Sequence, residues 1–284
     1  MKPKQIFIIA FLLSPLSGCG LVSIGYNYAD VYLRYSINTY ASFNESQQET
    51  IKNNVNGFMQ WHRKEMLPEY VGFLQIMKAL IQSGAVNNKL DVTKLRIQLR
   101  ALYIKTLQPT IKPAASLLSG ADAEQIQELV VAFAKENKKQ REKEIGDGAE
   151  EQLEKRADRS IDFIENLVGG LKNEQIEKIR QLSRQLPYAS LIYLQLKEDN
   201  QVRLITLLRQ SKGEAEIAAL LTGWLTSPET YRSSEEQSTI SVFENAMDEM
   251  VVQVYGLFNE RQKKILLRSM DKYIDVFQEL TLKV

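Results

Sequence analysis

Residues that commonly bind metals or attack substrates are scarce in this sequence. Its 284 residues include one cysteine, Cys19, and one histidine, His62. Zinc sites made of several cysteines and histidines are therefore excluded, and so is a disulfide within the chain. Nucleophile elbows, phosphate loops and dinucleotide fingerprints are also missing. No pair of acidic residues stands out as the two carboxylates of a cell-wall hydrolase. We expect no cofactor, no metal and no enzymatic activity.

A marked excess of charge of either sign is missing too. The 36 basic residues nearly balance the 35 acidic ones, and the formal net charge is +1. Nucleic-acid binding relies on a clustered basic surface. We therefore expect no nucleic acid among the partners.

The first 18 residues have the pattern of an export signal. Lys2 and Lys4 precede an apolar run over residues 6–13, which is shorter than the about 20 residues of a membrane-spanning helix. The segment Leu16-Ser17-Gly18, with two small residues, then leads directly to Cys19. This arrangement is similar to the lipobox of bacterial lipoproteins. We predict that residues 1–18 are a cleaved signal peptide and that Cys19 is the lipidation site.

The lipobox resemblance implies where the protein resides. In such proteins the cysteine thiol receives a diacylglycerol and the new amino terminus is acylated, for example with palmitate. Several acyl chains anchor a protein almost permanently, since each buried methylene contributes about 0.8 kcal/mol. Gly20 follows the cysteine, whereas an aspartate there favours the inner membrane. We expect the membrane to be a partner through lipidated Cys19, in the outer membrane of the cell envelope, with the body in the periplasm.

Helical periodicity dominates the rest of the chain. Apolar residues recur at spacings of three and four, strand alternation is absent, and glycine and proline divide the pattern into segments of helical length. We predict an all-α fold, a multi-helix bundle of about 11–12 helices, forming one domain over residues 26–284 after a short linker at 19–25. The predicted helices span residues 26–41, 45–65, 68–83, 91–107, 110–118, 122–144, 149–168, 173–185, 187–211, 214–226, 229–256 and 259–281.

Four of these helices open with a short polar cap followed by a glutamine. The glutamines are Gln47, Gln125, Gln175 and Gln262. Helix capping explains the pattern, because asparagine or aspartate accepts hydrogen bonds from the first turn and early acids suit the helix dipole. Their unequal spacing excludes a regular solenoid. The openings also resemble, over a few residues and without its threonine, the Leu-Thr-x-x-Gln signature of small periplasmic chaperones. That resemblance implies an alternative function as a periplasmic holdase.

Tyrosines are concentrated just after the predicted anchor. Five of the twelve lie between residues 26 and 40, and three fall on one helical stripe: Tyr28, Tyr32 and Tyr35. Such rings suit either a bilayer interface or docking on the protein body. Polar residues would form the opposite face: Asn27, Asp30 and Arg34. We therefore expect the stripe to dock against the helix that carries Trp61.

The segment from Trp61 to Tyr70 contains the only histidine. Pro68 is expected to end one helix and start the next. Glu65 lies three residues after His62 and on the same helix face, as an acid/base pair requires. A lone histidine beside Trp61 at a helix end is more typical of a structural hydrogen-bond partner, and we expect that role.

Several motifs together resemble a known family. They are Gly25-Tyr26-Asn27-Tyr28-Ala29-Asp30, the segment 61–70, Asn137-Lys138-Lys139, Ile164-Glu165-Asn166-Leu167-Val168-Gly169 and the Gln-led helix 175–185. In this order they are similar to an uncharacterised family of Gram-negative helical lipoproteins, catalogued as domain of unknown function 6279. The resemblance covers nearly all of the chain after Cys19 and implies no activity. The candidate interaction or structural residues are Tyr26, Asn27, Asp30, Trp61, His62, Arg63, Pro68 and Tyr70.

These observations together favour one function class. We expect a lipid-anchored, non-enzymatic envelope protein that binds an envelope protein partner or supports assembly.

Overall fold

The computed structural model describes residues 19–84, 86, 88–145 and 148–282, and this part of the chain contains helices and no strand. The predicted signal peptide, residues 1–18, lies outside the described residues. The all-α prediction is confirmed. The α-helices are α1 (Cys19–Asn27), α2 (Ala29–Ile37), α3 (Glu45–Trp61), α4 (Leu67–Ser83), α5 (Lys89–Leu107), α6 (Ile111–Ser119), α7 (Ala123–Ile145), α8 (Ala149–Val168), α9 (Asn173–Gln185), α10 (Ser190–Arg209), α11 (Glu214–Thr226), α12 (Ser234–Gly256) and α13 (Glu260–Leu282).

Most predicted helix boundaries lie close to the observed ones, and the main differences are near the start. The predicted helix 26–41 is two helices, α1 and α2, which meet at Tyr28. The linker expected over residues 19–25 is instead helical, because an inward stripe of apolar residues begins at Val22. This inner stripe has the spacing i, i+4, i+7, i+11 and i+15: Val22, Tyr26, Ala29, Leu33 and Ile37. No helix in the described part is both long and apolar enough to cross a membrane.

Among the described residues, many of the buried apolar side chains form three groups. The largest joins α4, α5, α8, α9, α12 and α13, with Ile179 and Val168 almost completely buried. A second joins α6, α7, α10 and α11 around Ala115 and Ile217. A third joins α1, α4 and α13 around Met66. Each fully buried large apolar side chain contributes about 1.5–3 kcal/mol, so packing suffices to hold the chain together without disulfides.

The four cap glutamines do more than cap their own helices. Each accepts a backbone N–H bond at its own helix start. The predicted capping by asparagine or aspartate is found at Asn44, Asp122 and Asn259, whereas at α9 the cap position is Lys172. In addition, Gln47 and Gln125 exchange amide hydrogen bonds of 3.1 and 2.7 Å, and Gln175 and Gln262 exchange bonds of 2.9 and 3.0 Å. The starts of α3 and α7, and those of α9 and α13, are thereby joined side by side.

This pairing divides the body into two halves with the same order of helices. The first half runs from α2 to α7 and the second from α8 to α13. A 3₁₀ turn with a proline follows the fourth helix of each half, and the interval between Pro68 and Pro109 equals that between Pro187 and Pro228. The packing is reciprocal as well. Helix α4 packs on α13 as α10 packs on α7, and α5 packs on α12 as α11 packs on α6.

The halves differ in the connection before their first proline. The interval from Gln47 to Pro68 is longer than that from Gln175 to Pro187, and the extra length of the first half contains His62. In the second half, the guanidinium of Arg156 closes the end of α9 by donating to the carbonyls of residues 183, 184, 186 and 187. The first half closes the corresponding connection with the cluster around His62.

Candidate functional site

A widened helical turn positions the cluster. Helix α3 continues into a π-helical turn, His62–Met66, and α4 follows without a break. Pro68 is the second residue of α4 and has no N–H to donate to the carbonyl four residues earlier. The wider turn accommodates this loss, and π-turns are frequent at functional sites. Met66 and Leu67 are 0% and 1% exposed, which fixes the turn against the core.

A continuous chain of hydrogen bonds runs through the cluster. The Tyr26 hydroxyl lies 2.8 Å from His62 Nδ1, and His62 Nε2 lies 3.3 Å from the Tyr70 hydroxyl. The Tyr70 hydroxyl lies 2.5 Å from Thr106 Oγ1, which donates to the Leu102 carbonyl at 2.8 Å. We call Tyr26, His62, Tyr70 and Thr106 the tyrosine–histidine chain. It connects α1, the π-turn, α4 and α5.

The direction of each bond follows from its far end. Thr106 uses its only hydroxyl hydrogen on the Leu102 carbonyl, so Tyr70 must donate to Thr106. The Tyr70 oxygen then accepts from His62 Nε2–H, which leaves Nδ1 unprotonated as the acceptor for Tyr26 O–H. The geometry therefore fits a neutral histidine with the proton on Nε2.

Burial favours the neutral form of each of these groups. Desolvation lowers the pKa of His62 from 6.5 to about 4, because the imidazolium would lose its water without gaining a carboxylate. Burial also raises the pKa of the Tyr26 and Tyr70 hydroxyls above the usual range. All three groups are thus neutral at pH 7, and the chain is held by neutral hydrogen bonds.

Aromatic rings enclose His62. The ring centroids of Phe58, Trp61 and Tyr70 lie 5.7, 6.5 and 5.5 Å from the imidazole centroid, and Tyr70 also contacts Phe277 on α13 at 6.2 Å. Aromatic pairs in tilted or edge geometry stabilise a site by about 0.5–1.5 kcal/mol each beyond the area they bury. The enclosure leaves His62 only 9% exposed.

Arg63 adds an outer contact to α1. Its guanidinium lies over the Tyr26 ring, 5.4 Å from the centroid, and donates to Asn27 Oδ1 at 3.3 Å. Asp30, by contrast, pairs with Arg34 one turn along α2. The structure therefore joins Tyr26, Asn27, His62, Arg63 and Tyr70, with Trp61 beside them, whereas Asp30 lies outside the cluster.

The expected docking of the tyrosine stripe is wrong. Tyr28 and Tyr35 are 66% and 58% exposed, Tyr32 is 37% exposed, and α2 has no buried residue. Tyr26 docks beside Trp61 and His62 in their place. The inner stripe that begins at Val22 determines which face of the helix turns inward, and the three tyrosines fall on other faces.

Sequence reasoning missed the far end of the chain of bonds. Thr106 is 2% exposed and lies near the end of α5, far from the motifs. Its weak signal is a threonine on the inner face, where a hydroxyl needs a partner. Phe277 carried no signal, because its contact with Tyr70 depends on the packing of α13 on α4.

The contacts of the cluster hold helices together. Both ring nitrogens of His62 are occupied by tyrosine hydroxyls, and Glu65, its suggested acid/base partner, points outward toward Lys64 with 51% of its side chain exposed. Within the described ranges, no group of three or more histidine, cysteine or acidic side chains could hold a metal ion. The arrangement fixes α1 to the body.

Fold and site together define an all-α protein whose first described helix is fixed to the body by a buried polar chain. The sequence places it more narrowly: it belongs to a family described as "Family of unknown function (DUF6279)", which it matches over residues 39–235. The family resemblance is thus confirmed. The match begins at residue 39, so it includes His62 and Tyr70 but not Tyr26. No curated protein and no solved structure matches the chain.

Proposed function

We propose that this protein is a lipid-anchored, non-enzymatic envelope protein whose helical body binds an envelope partner, or supports assembly, in a fixed orientation to the outer membrane. The observation that carries the proposal is the tyrosine–histidine chain. It ties α1, which begins at the predicted lipidation site Cys19, to α4 and α5.

A rigid connection changes what a lipid anchor does. An anchor followed by a flexible linker lets a body tumble at the membrane, and any surface can then face the bilayer. Here Val22 and Tyr26, 4% and 5% exposed, pack within the core only a few residues after Cys19. The body would therefore keep one orientation at the membrane, and a partner could reach only part of its surface.

The state of His62 supports a non-enzymatic role. A general base must reach a substrate proton within about 2.6–3.2 Å, but the two ring nitrogens face buried hydroxyls. The glutamines that suggested a holdase are occupied as well, since they form the amide pairs between helix starts. That sequence feature therefore lends the holdase alternative no support.

In-cell crosslinking tests this proposal. A photoreactive residue would replace exposed apolar side chains on separate helices, such as Ile97, Val131, Val202 and Val242, in the full-length chain. We expect a single defined envelope protein at one or two neighbouring positions and none at the others. Adducts with many unrelated proteins at all positions would favour a holdase and contradict the proposal.

A further inference from the structure

Helices α1 and α2 carry an apolar stripe that is largely exposed. Ile24, Tyr28, Val31 and Tyr35 are 55%, 66%, 51% and 58% exposed. The two helices are nearly continuous, since the N–H of Tyr28 donates to the Ile24 carbonyl and that of Tyr32 to the Tyr28 carbonyl. At 3.6 residues per turn, the four positions lie within about 60° around the axis. We call them the outer stripe.

The outer stripe lies opposite the face that packs on the body. The inner stripe, which includes Val22 and Tyr26, is centred about 170° away at the same helical period. Polar residues lie between the two: Asn27, Asp30 and Arg34. The segment 19–37 thus has one apolar face turned to the body and another turned away from it.

Contiguity distinguishes this stripe from the other exposed apolar residues. Ile97, Val202 and Val242 lie on α5, α10 and α12, and scattered single residues of this kind are normal on protein surfaces. Four side chains in line form a patch, and each square ångström of apolar surface kept in water costs about 25 cal/mol. Such a patch marks an interaction surface.

We propose that the outer stripe lies on the surface of a phospholipid bilayer, with residues 19–37 parallel to the membrane plane. This inference rests on the proposed lipidation of Cys19. Helix α1 begins at that residue, so acyl chains there would hold Ile24 within about 8 Å of the anchor along the helix axis. Tyrosine suits this zone, because its ring enters the apolar layer and its hydroxyl stays in water.

Anchoring also explains why a small apolar face suffices. A stripe of four side chains would bind a membrane weakly on its own. Once the acyl chains are inserted, its contact with lipid becomes intramolecular and gains a high effective concentration. The acyl chains then supply the attachment, and the stripe determines which side of the body faces the bilayer.

The single cysteine makes a direct test possible. If Cys19 is acylated, a cysteine introduced by Tyr28→Cys or Val31→Cys is the only free thiol and can carry a bimane label. The control is Val202→Cys, at a position that is 65% exposed on α10. Each full-length lipidated variant would be reconstituted into phosphatidylethanolamine and phosphatidylglycerol vesicles, with or without brominated acyl chains.

We expect brominated lipid to quench the label at 28 and 31 and to leave the label at 202 unchanged. Quenching at 28 and 31 no greater than at 202, in vesicles that hold the protein, would overturn bilayer contact while leaving the anchor intact. Pyrene labels at 28 that form excimers at low protein density would also overturn it, because a second copy would then cover the stripe. Failure of the protein to attach to vesicles would overturn the lipid anchor itself.

Discussion

At the scale of single residues, His62 shows how a buried base acts as a structural link. Its two nitrogens accept from one tyrosine and donate to another, so it joins residues that lie on different helices. Protonation would turn Nδ1 into a donor facing the Tyr26 hydroxyl, and the charge would be buried among aromatic rings. The protein therefore depends on keeping this residue neutral.

Stability should fall as the pH drops from 7 to 5. The pKa of His62 is about 4 in the folded protein, below the 6.5 of a fully hydrated histidine, so the unfolded chain binds the proton first. The stabilisation is complete above pH 6.5 and is lost as the pH falls toward 4. Between pH 7 and 5 the free energy of unfolding should decrease by about 2 kcal/mol, measured by urea denaturation of residues 20–284.

The control for this pH dependence is His62→Gln, which removes the only histidine in the chain. We expect the free energy of unfolding of this variant to be lower at pH 7 and nearly constant down to pH 5. A variant that lost as much stability as the wild type over this range would assign the effect to other groups.

Removal of one hydroxyl should also be measurable. Tyr26→Phe keeps the ring but leaves His62 Nδ1 buried without a donor, which should lower the free energy of unfolding by about 1–3 kcal/mol. Tyr28→Phe is the matched control, because Tyr28 is 66% exposed and should change stability little. Equal effects of the two substitutions in a urea titration would argue against a structural role for the Tyr26 hydroxyl.

At the scale of helices, the sequence predicted the elements well and their junctions poorly. Capping at Gln47 and Gln175 follows from local chemistry, so the starts of α3 and α9 were predictable. The pairing of glutamines was not, because it joins helix starts far apart in the chain. The equal intervals from Pro68 to Pro109 and from Pro187 to Pro228 indicate two similar halves, but they do not indicate which glutamines pair. The candidate site was predicted in part, since the motif residues around His62 were identified but Thr106 was not.

A double-mutant cycle can measure one glutamine pair. Gln175→Leu and Gln262→Leu should each cost about 1–3 kcal/mol, because each removes both hydrogen bonds between the two amides and leaves the partner's buried amide only partly satisfied. The double variant should cost less than the two single costs added together, since it removes both amides. Gln181→Leu on the exposed face of α9 is the control and should have little effect. Strict additivity of the two costs would show that the amides do not interact.

At the scale of the whole molecule, anchoring and folding should be separable. Cys19→Ser removes the predicted acylation site, so labelled palmitate should no longer be incorporated and the precursor should remain uncleaved or be mislocalised. Circular dichroism and the melting temperature of residues 20–284 should still report a helical, cooperatively folded body, because acyl chains anchor and do not pack its core. Palmitate on the serine variant would contradict the predicted site.

Because of the reciprocal packing, each half of the body supplies helices that complete the packing of the other half. The last helix of each half packs on the third helix of the other half: α7 packs on α10, and α13 packs on α4. Neither half can complete its own core, so cutting the chain between α7 and α8 would leave two fragments that fold only when mixed. Denaturation should accordingly proceed in one step. A substitution that weakens one contact between the halves should therefore lower the stability of both.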